Sequence, residues 1–440
     1  MDLLSPRGGI LALLSATQAA EGQAIRVGLA QMSIHASLFR ATRGMAWPGN
    51  ASVRVNVVWM RKGNYEGSRI LDHHAVRLIS PRLTPSSGGH TAPRAIVHPD
   101  LWSFEGVHNG KGGSFLLAPD SEWFRLLRED DPAGTVIRPY ASGEDLAAYP
   151  PGTINRWVLD TQDASLSSIA QHYPVAYQFL MEVVVPTRDE KTLKSYKGLY
   201  ERWWQFWNHR ADQFRRLRRR EYCIAIPKVA MYVLPCWSPT SWTYTNKVIL
   251  VELEHAALRG LLRSSLFSEW ITEFSTSFGV GGGISPSVSL GLSTFILPSS
   301  IQESLAQQGA SWDEMSASWC GDRSAGLTAL FNHIHDKRKT ENRKLDRLRD
   351  LIVEIDAAVA ASYGWQDLDL DHDFWETRQG TRFTVGPDAR VELLDRLLQL
   401  NHARYEEEVR MGLHVKKAQK KRSTAVLSKP AEPALFEVEP

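Results

Sequence analysis

Three cysteines, Cys223, Cys236 and Cys320, are all that 440 residues carry, and no two of them form a CxxC pair. That scarcity argues against a disulfide framework or a structural zinc site and fits a reducing cytosol. Neither sign of charge dominates, since the formal net charge is +2. A nucleic-acid partner therefore has to be argued from local clusters rather than from bulk charge. No apolar run approaches the ~20 residues needed to cross a bilayer. The apolar part of "GGILALLSATQAA" is short for a secretory signal, and it reads as a buried strand. The expectation is a cytoplasmic protein without membrane contact. Missing too are GxSxG, HExxH and GxxxxGK[ST], the local signatures of three large enzyme groups.

Tryptophan, by contrast, is plentiful. Fifteen tryptophans in a chain with 43% hydrophobic and 23% charged residues imply large buried aromatic clusters or flat stacking surfaces. Such a length suffices for two or three domains with cores of their own.

The first sixty residues alternate between α and β signals. "GGILALLSAT" (8–17) reads as a strand, "EGQAIRVGLAQM" (21–32) as a helix, and "ASLFRATR" (36–43) as a second strand. "MAWPGNA" (45–51) is a turn. "SVRVNVVWMRKG" (52–63) has period two, with Val53, Val55 and Val57 on one face and Ser52, Arg54 and Asn56 on the other. A βα unit followed by two adjacent strands suits the closing half of a doubly wound sheet, which cannot bury both of its faces by itself.

Residues 80–99, "SPRLTPSSGGHTAPRAIVHP", read as a linker or long loop. From 100 to 300, short strands mixed with a few helices point to one α+β domain with a twisted, mostly antiparallel sheet. After 300 the pattern turns helical. Leu345, Leu348, Ile352, Ile355 and Val359 form one stripe stopped by Gly364, and "DARVELLDRLLQLNHARYEEEVRMG" repeats the design with Asp388 as N-cap. The basic, then Pro- and Glu-containing tail reads as disordered.

Few segments offer chemistry. "GVGGG" (279–283) does not link a strand to a helix start, so it reads as a loop. "LDLDHDF" holds Asp369, Asp371, His372 and Asp373 but lacks the glycine and distal glutamate of an EF-hand, and it reads as a solvated acidic loop. His73–His74 and "HIHDKRK" (333–339) read as exposed polar clusters. In "ERWWQFWNHRADQFRRLRRREYCIAIPK" (201–228), a helix over 211–220 turns Phe214 and Leu217 inward and places Arg215, Arg218 and Arg219 on the outer face. That face serves either as a phosphate-neutralising surface or as a solvated helix surface.

The order of "GGILALLSATQAAEGQAIR", "WPGNASVRVNVVWMRKG", "IRPYASGEDL", "RWVLD", "YPVAYQFLMEVVVPTRDE", "ERWWQFW" and "YCIAIPKVA" resembles the C-terminal part of MmeI-like DNA methyltransferases. The later "LRDLIVEIDAAVAASYGWQDLDLDHDF" and "LLDRLLQLNHARYEEE" extend the resemblance over about 400 residues. Members of that family join an adenine-N6 methyltransferase domain to a target-recognition domain and serve restriction–modification or phage defence. The resemblance implies a multidomain α/β and α+β fold. Residues 1–63 would be the incomplete end of a doubly wound methyltransferase sheet and 80–300 the DNA target-recognition domain. Residues 301–415 would be a helical C-terminal domain and 416–440 a disordered tail.

It also implies double-stranded DNA as partner, held by Arg138, Arg156, Arg215, Arg218 and Arg219, with Lys228 reading bases. The tryptophans of "ERWWQFW" would pack their helix onto the recognition sheet. Such enzymes need a glycine-rich loop after their first strand for S-adenosylmethionine and an Asn-Pro-Pro-aromatic motif for the flipped adenine. Neither occurs here, and "AYPPG" (148–152) lacks the asparagine. The family's "TPRVSKH"-like segment stands as "IPKVAMY" (226–232), without the later basic residues. The expectation is a chain with no catalytic residues and no cofactor of its own, completed by a catalytic methyltransferase subunit that binds S-adenosylmethionine. The alternative is a non-catalytic DNA-binding or scaffold remnant. A charge placed at Val55 or Val57 would then abolish assembly.

Overall fold

The computed structural model describes residues 9–414 except 21–23, 49–53, 87–91, 98–100, 111–112, 149–152, 189–197, 199–200, 275–276, 279–282, 285–287, 340–341 and 378. Most of "GVGGG" and the whole of the tail 416–440 lie outside the described residues. The architecture is α+β and multidomain, with helices around several small sheets.

The first sheet contains β1 (Ile10–Ala16), β2 (Ala36–Ala46), β3 (Arg54–Lys62), β4 (Arg69–Leu71) and β5 (His74–Val76), in the order β1-β3-β2-β4-β5. β3 is antiparallel to both β1 and β2, so those two strands run parallel to each other. Two short helices, Ala24–Val27 and Leu29–Ser33, make the crossover between them. The expected strands and helix are present, but the buried faces differ from expectation. Ile25 and Leu29 cover the side bearing Val58 and Met60. Val57 and Trp59 point the other way and stay half-buried, although Val55 on that side is buried. β1 is not a buried strand: Ile10 is 64% and Leu14 51% exposed. They lie on the face shared with Val57, opposite the one that Ile25 and Leu29 cover, and β1 is also the edge strand of the sheet.

Beyond β6 (Leu78–Ile79) and β7 (Pro85–Ser86) come two four-stranded sheets where the sequence suggests one. They are built from β8 (Ser103–Glu105), β9 (Leu116–Leu117), β10 (Ile137–Ala141), β11 (Trp157–Leu159), β12 (Tyr222–Pro227), β13 (Cys236–Pro239), β14 (Thr243–Tyr244) and β15 (Val248–Val251). One sheet has the order β14-β10-β11-β9, and the other, fully antiparallel, has β13-β12-β15-β8. The helices after residue 300 do not close a core of their own. Trp312, Trp319, Leu345 and Leu348 join the core of the first of these sheets. Ile355, Val359, Leu393 and Leu397 join that of the second.

The helix Arg343–Ser362 follows its sequence pattern, with Leu345, Leu348, Ile355 and Val359 buried and Asn342 capping the amides of Lys344 and Leu345. Gly364 at φ +77° ends it, a left-handed turn suited to glycine. The helix Pro387–Arg410 is capped by Gly386 rather than Asp388. Pro387 takes the first helical position, where its missing N–H costs nothing, and this pushes Asp388 into the first turn.

The stretch 80–99 is no free linker. The Asn401 side chain, fully buried, accepts from the Arg94 amide at 2.7 Å and donates to the carbonyls of Arg94 and Thr294. Glu408, also fully buried, accepts from the Val97 amide at 3.0 Å. Arg82 donates to the Glu273 carbonyl and Thr84 to its carboxylate. Asn401→Ala strands the amide and the carbonyl of Arg94 in this strap and removes a bond to the Thr294 carbonyl. A loss of about 3 kcal/mol in denaturant unfolding is expected, with accelerated amide exchange at residues 94–97.

Candidate nucleic-acid interface

The run from Trp203 to Arg220 decides how the arginines are used. Trp203, Trp204 and Phe206 are buried as the sequence implies, but in a turn rather than a helix, while Trp207 is 48% exposed. The Trp204 indole donates to the Ala164 carbonyl, and Thr161 Oγ1 donates to the Trp204 carbonyl. This pins the turn to the end of β11.

The following helix spans only Ala211–Leu217, with Phe214 and Leu217 fully buried. Because it stops at Leu217, the arginines do not form one outer face. Arg215 and Arg219 are exposed, but Arg218 turns inward toward Asp160, 3.9 Å away, with its side chain 16% exposed. Arg215 lies between two carboxylates, Asp163 at 2.8 Å and Asp212. Arg216 packs over the Trp102 ring and pairs with the buried Glu252 at 2.5 Å.

Asp160 is the hub of this end. Fully buried, it accepts from Thr243 Oγ1 at 2.7 Å and from the Gln162 amide. Arg138 sits beside it and donates to the Ser241 and Thr135 carbonyls. Burial lowers both Arg138 and Arg218, the latter to about 10 with help from the Arg138 charge, while Asp160 opposes the shift. Two crowded guanidiniums thus lie beside the buried Asp160, with Asp131 also acting on Arg138, a device for holding elements together.

Lys228 lies at the other end of β12. A six-residue strand spans about 20 Å, so Lys228 and the Arg218–Arg220 segment are set apart by that length. The lysine is buried and its ammonium is 2.8 Å from Glu105 Oε1, which is not the posture of a base-reading side chain. Arg156 is on the same side as Lys228, since the Ser142–Asp145 turn it binds packs against Pro227 through Gly143. Arg156 itself remains 44% exposed. The six residues expected to bind DNA thus divide into Arg138, Arg215, Arg218 and Arg219 at one end and Arg156 and Lys228 at the other.

Within "IPKVAMY" the sequence did not single out Val229 and Met231, which are 54% and 42% exposed in the loop after Lys228, or the exposed Lys247 beside its base. Exposed apolar side chains within "IPKVAMY" were the available signal.

Groups suited to covalent chemistry are shielded. Burial pushes the Cys223 and Cys236 thiols up to about 12 and Cys320 up to about 11, far from thiolate range. Among the described residues no group of three or more His, Cys, Asp or Glu is placed to hold a metal. The "LDLDHDF" loop is not wholly solvated, because the His372 side chain is only 7% exposed and is bonded to Asp356 at 2.8 Å. Nor is "HIHDKRK" all surface: His335 Nδ1 accepts from the Phe383 amide. Among the described residues no helix is long and apolar enough to cross a membrane.

No family model and no curated protein matches this chain. Its backbone is similar to that of the type IIL restriction–modification enzyme MmeI in complex with DNA, with a TM-score of 0.58 at 14% identity. That likeness covers 90% of this chain and 50% of MmeI, so the chain spans about half the length of the enzyme it matches. The type IIG restriction endonuclease BpuSI aligns over 90% of this chain and 48% of its own, with a TM-score of 0.33 at 13% identity. At such identities the similarity to MmeI is one of fold.

Proposed function

We propose that this chain supplies DNA target recognition for a site-specific adenine-N6 DNA methyltransferase of a restriction–modification or phage-defence system. The catalytic half, with its S-adenosylmethionine loop and Asn-Pro-Pro-aromatic motif, sits on a partner chain. The observation that carries the reading is the first sheet. Its parallel β1 and β2 are joined by a helical crossover, with β3 antiparallel between them and β1 open at the edge. A β1–helix–β2 crossover is the unit from which doubly wound sheets are built, and β1 still has a free edge for further strands. Residues 1–63 therefore act as the end of a methyltransferase sheet whose earlier strands dock on β1. Residues 80–300 are the recognition unit, braced by helices from 301–415. The ordered motifs and the fold likeness to MmeI support the same assignment.

In this reading the loop end of the two sheets faces the duplex. Arg156 and Lys247 hold phosphates there, and Val229 and Met231 reach the base edges. Arg215 and Arg219 add backbone contacts at the far end, while Arg138, Arg218 and Lys228 position the loops through their carboxylates.

Fluorescence anisotropy on random-sequence duplex tests this. Arg156→Ala and Arg219→Ala are each expected to weaken binding to all sequences alike and to lower the slope of log K against log salt by about one. Unchanged affinity and slope in both variants would remove DNA from the proposal. One observation favours the second reading, a scaffold remnant: Arg215, Arg216 and Arg218 all spend their charge on carboxylates of the same chain. Under that reading even the wild-type chain shows no salt-dependent binding.

A further inference from the structure

A cavity of about 80 Å³ lies where the loop after β12 meets the helices Ser265–Phe274 and Ser304–Arg323, lined among others by Tyr232, Arg263, Trp312, Phe331, His335 and Arg382. Nothing in the proposed DNA reading uses it, and although hydroxyls of Ser265, Ser268, Thr272 and Thr384 also line it, three of its N–H donors are left over. Arg382 Nε, Arg263 Nε and Trp312 Nε1 are buried with no hydrogen-bond partner among the described residues. His335 Nδ1 accepts from the Phe383 amide at 3.1 Å, so the neutral ring carries its proton on Nε2. Neutral it is: burial, then the charges of Arg382 and Arg349, push His335 down to about 3.

The carboxylates nearby are already engaged. Glu269, which also lines the cavity, is bonded to Arg390 at 2.5 Å, and Asp313 holds both Arg259 and Arg263. Arg382, by contrast, has no carboxylate at ion-pair distance among the described residues, and its guanidinium lies 5.0 Å over the Tyr232 ring. Three buried N–H donors without partners, two of them on guanidiniums, favour a ligand that accepts, and the neighbouring hydroxyls can donate to the same ligand. At ~30 Å³ per water, the volume matches two or three waters or one tetrahedral oxyanion.

We propose that this cavity is a binding site for a small inorganic oxyanion of the phosphate class, held by Arg382, Arg263 and the Trp312 indole. The site is independent of the DNA reading. Its consequence reaches the interface, because Tyr232 ends the exposed Val229–Met231 segment and its hydroxyl is anchored to Asn332 at 2.6 Å. A bound oxyanion would stiffen that loop from behind.

The test uses the full chain, inorganic phosphate as ligand and sodium chloride at matched ionic strength as control. The Trp312 indole N–H resonance, identified by its loss in Trp312→Phe, should shift saturably with phosphate and not with chloride. Thermal melts should rise over the same concentration range. Arg382→Gln should weaken the response about tenfold or more, while Arg156→Gln leaves it unchanged. The proposal is overturned if the indole resonance stays put or responds equally to chloride. It is overturned as well if Arg156→Gln abolishes the response, which would place the anion on the DNA surface. Should Arg382→Gln fail to fold, the wild-type indole titration decides alone.

Discussion

Asp160→Asn is expected to lower the unfolding free energy by about 3–5 kcal/mol, the usual cost of removing one partner from a buried ion pair. The carboxylate is fully buried, lies 3.9 Å from Arg218 and, with Asp131, offsets the charge of Arg138. An asparagine of the same shape preserves the packing but has one acceptor oxygen where Asp160 uses two, Oδ2 for Thr243 Oγ1 and Oδ1 for the Gln162 amide, so one of these bonds is lost together with the charge. The two guanidiniums are then left facing each other at low dielectric. Asp163→Asn is the control: its pair with Arg215 has both side chains more than half exposed, and it should cost under about 1 kcal/mol. Arg218→Met added to Asp160→Asn should recover part of the loss, since the second substitution removes one of the stranded charges. Urea unfolding of the four proteins measures all of this. Equal losses for Asp160→Asn and Asp163→Asn would show that the hub is not an electrostatic one.

That hub was half legible. "RWVLD" ends on Asp160 and "IRPY" holds Arg138, so both strings were visible, but their pairing with Arg218 spans more than fifty residues and no periodicity reports it. The short helix explains the error about the arginines. A helix continued through Arg220 would put Arg215, Arg218 and Arg219 on one face, whereas ending at Leu217 frees Arg218 to turn back under the sheet.

Period-two and period-3.6 patterns located β3 and the helix Arg343–Ser362 well, because burial on one side imposes them directly. They did not say which side of β3 is covered, since Val55, Val57, Val58 and Met60 make both sides apolar. Composition misled at 80–99. Proline, serine and glycine describe a chain without regular structure, yet that backbone is gripped by Asn401 and Glu408 some 300 residues away. A strap of this kind is defined by its partners, which composition does not contain.

The second large effect concerns β1. Its outward side chains Ile10 and Leu14 are 64% and 51% exposed, beside the half-buried Val57 and Trp59 of β3. Leu14→Glu therefore puts a charge on a surface that is open in this chain alone, and the stability of the isolated chain should change by no more than about 0.5 kcal/mol. If β1 is the docking edge for the catalytic half, the same charge is buried in the complex without a partner, which costs several kcal/mol and should abolish association. Val57→Glu should act likewise, with a modest loss in the isolated chain because Val57 is half-buried. Size-exclusion chromatography of co-expressed chains reads out the difference. An assembly indifferent to both charges would mean that the partner docks elsewhere.

The most direct measurement of the central claim is adenine methylation by reconstituted halves. A separate methyltransferase polypeptide carrying a glycine-rich loop and an Asn-Pro-Pro-aromatic motif is co-expressed with this chain, and N6-methyladenine is mapped along a test DNA. The account predicts methylation at one defined sequence by the complex, none by either chain alone, and none by the complex carrying Leu14→Glu. Methylation by the partner alone at the same sequence, or a complex that forms and methylates nothing, would contradict it.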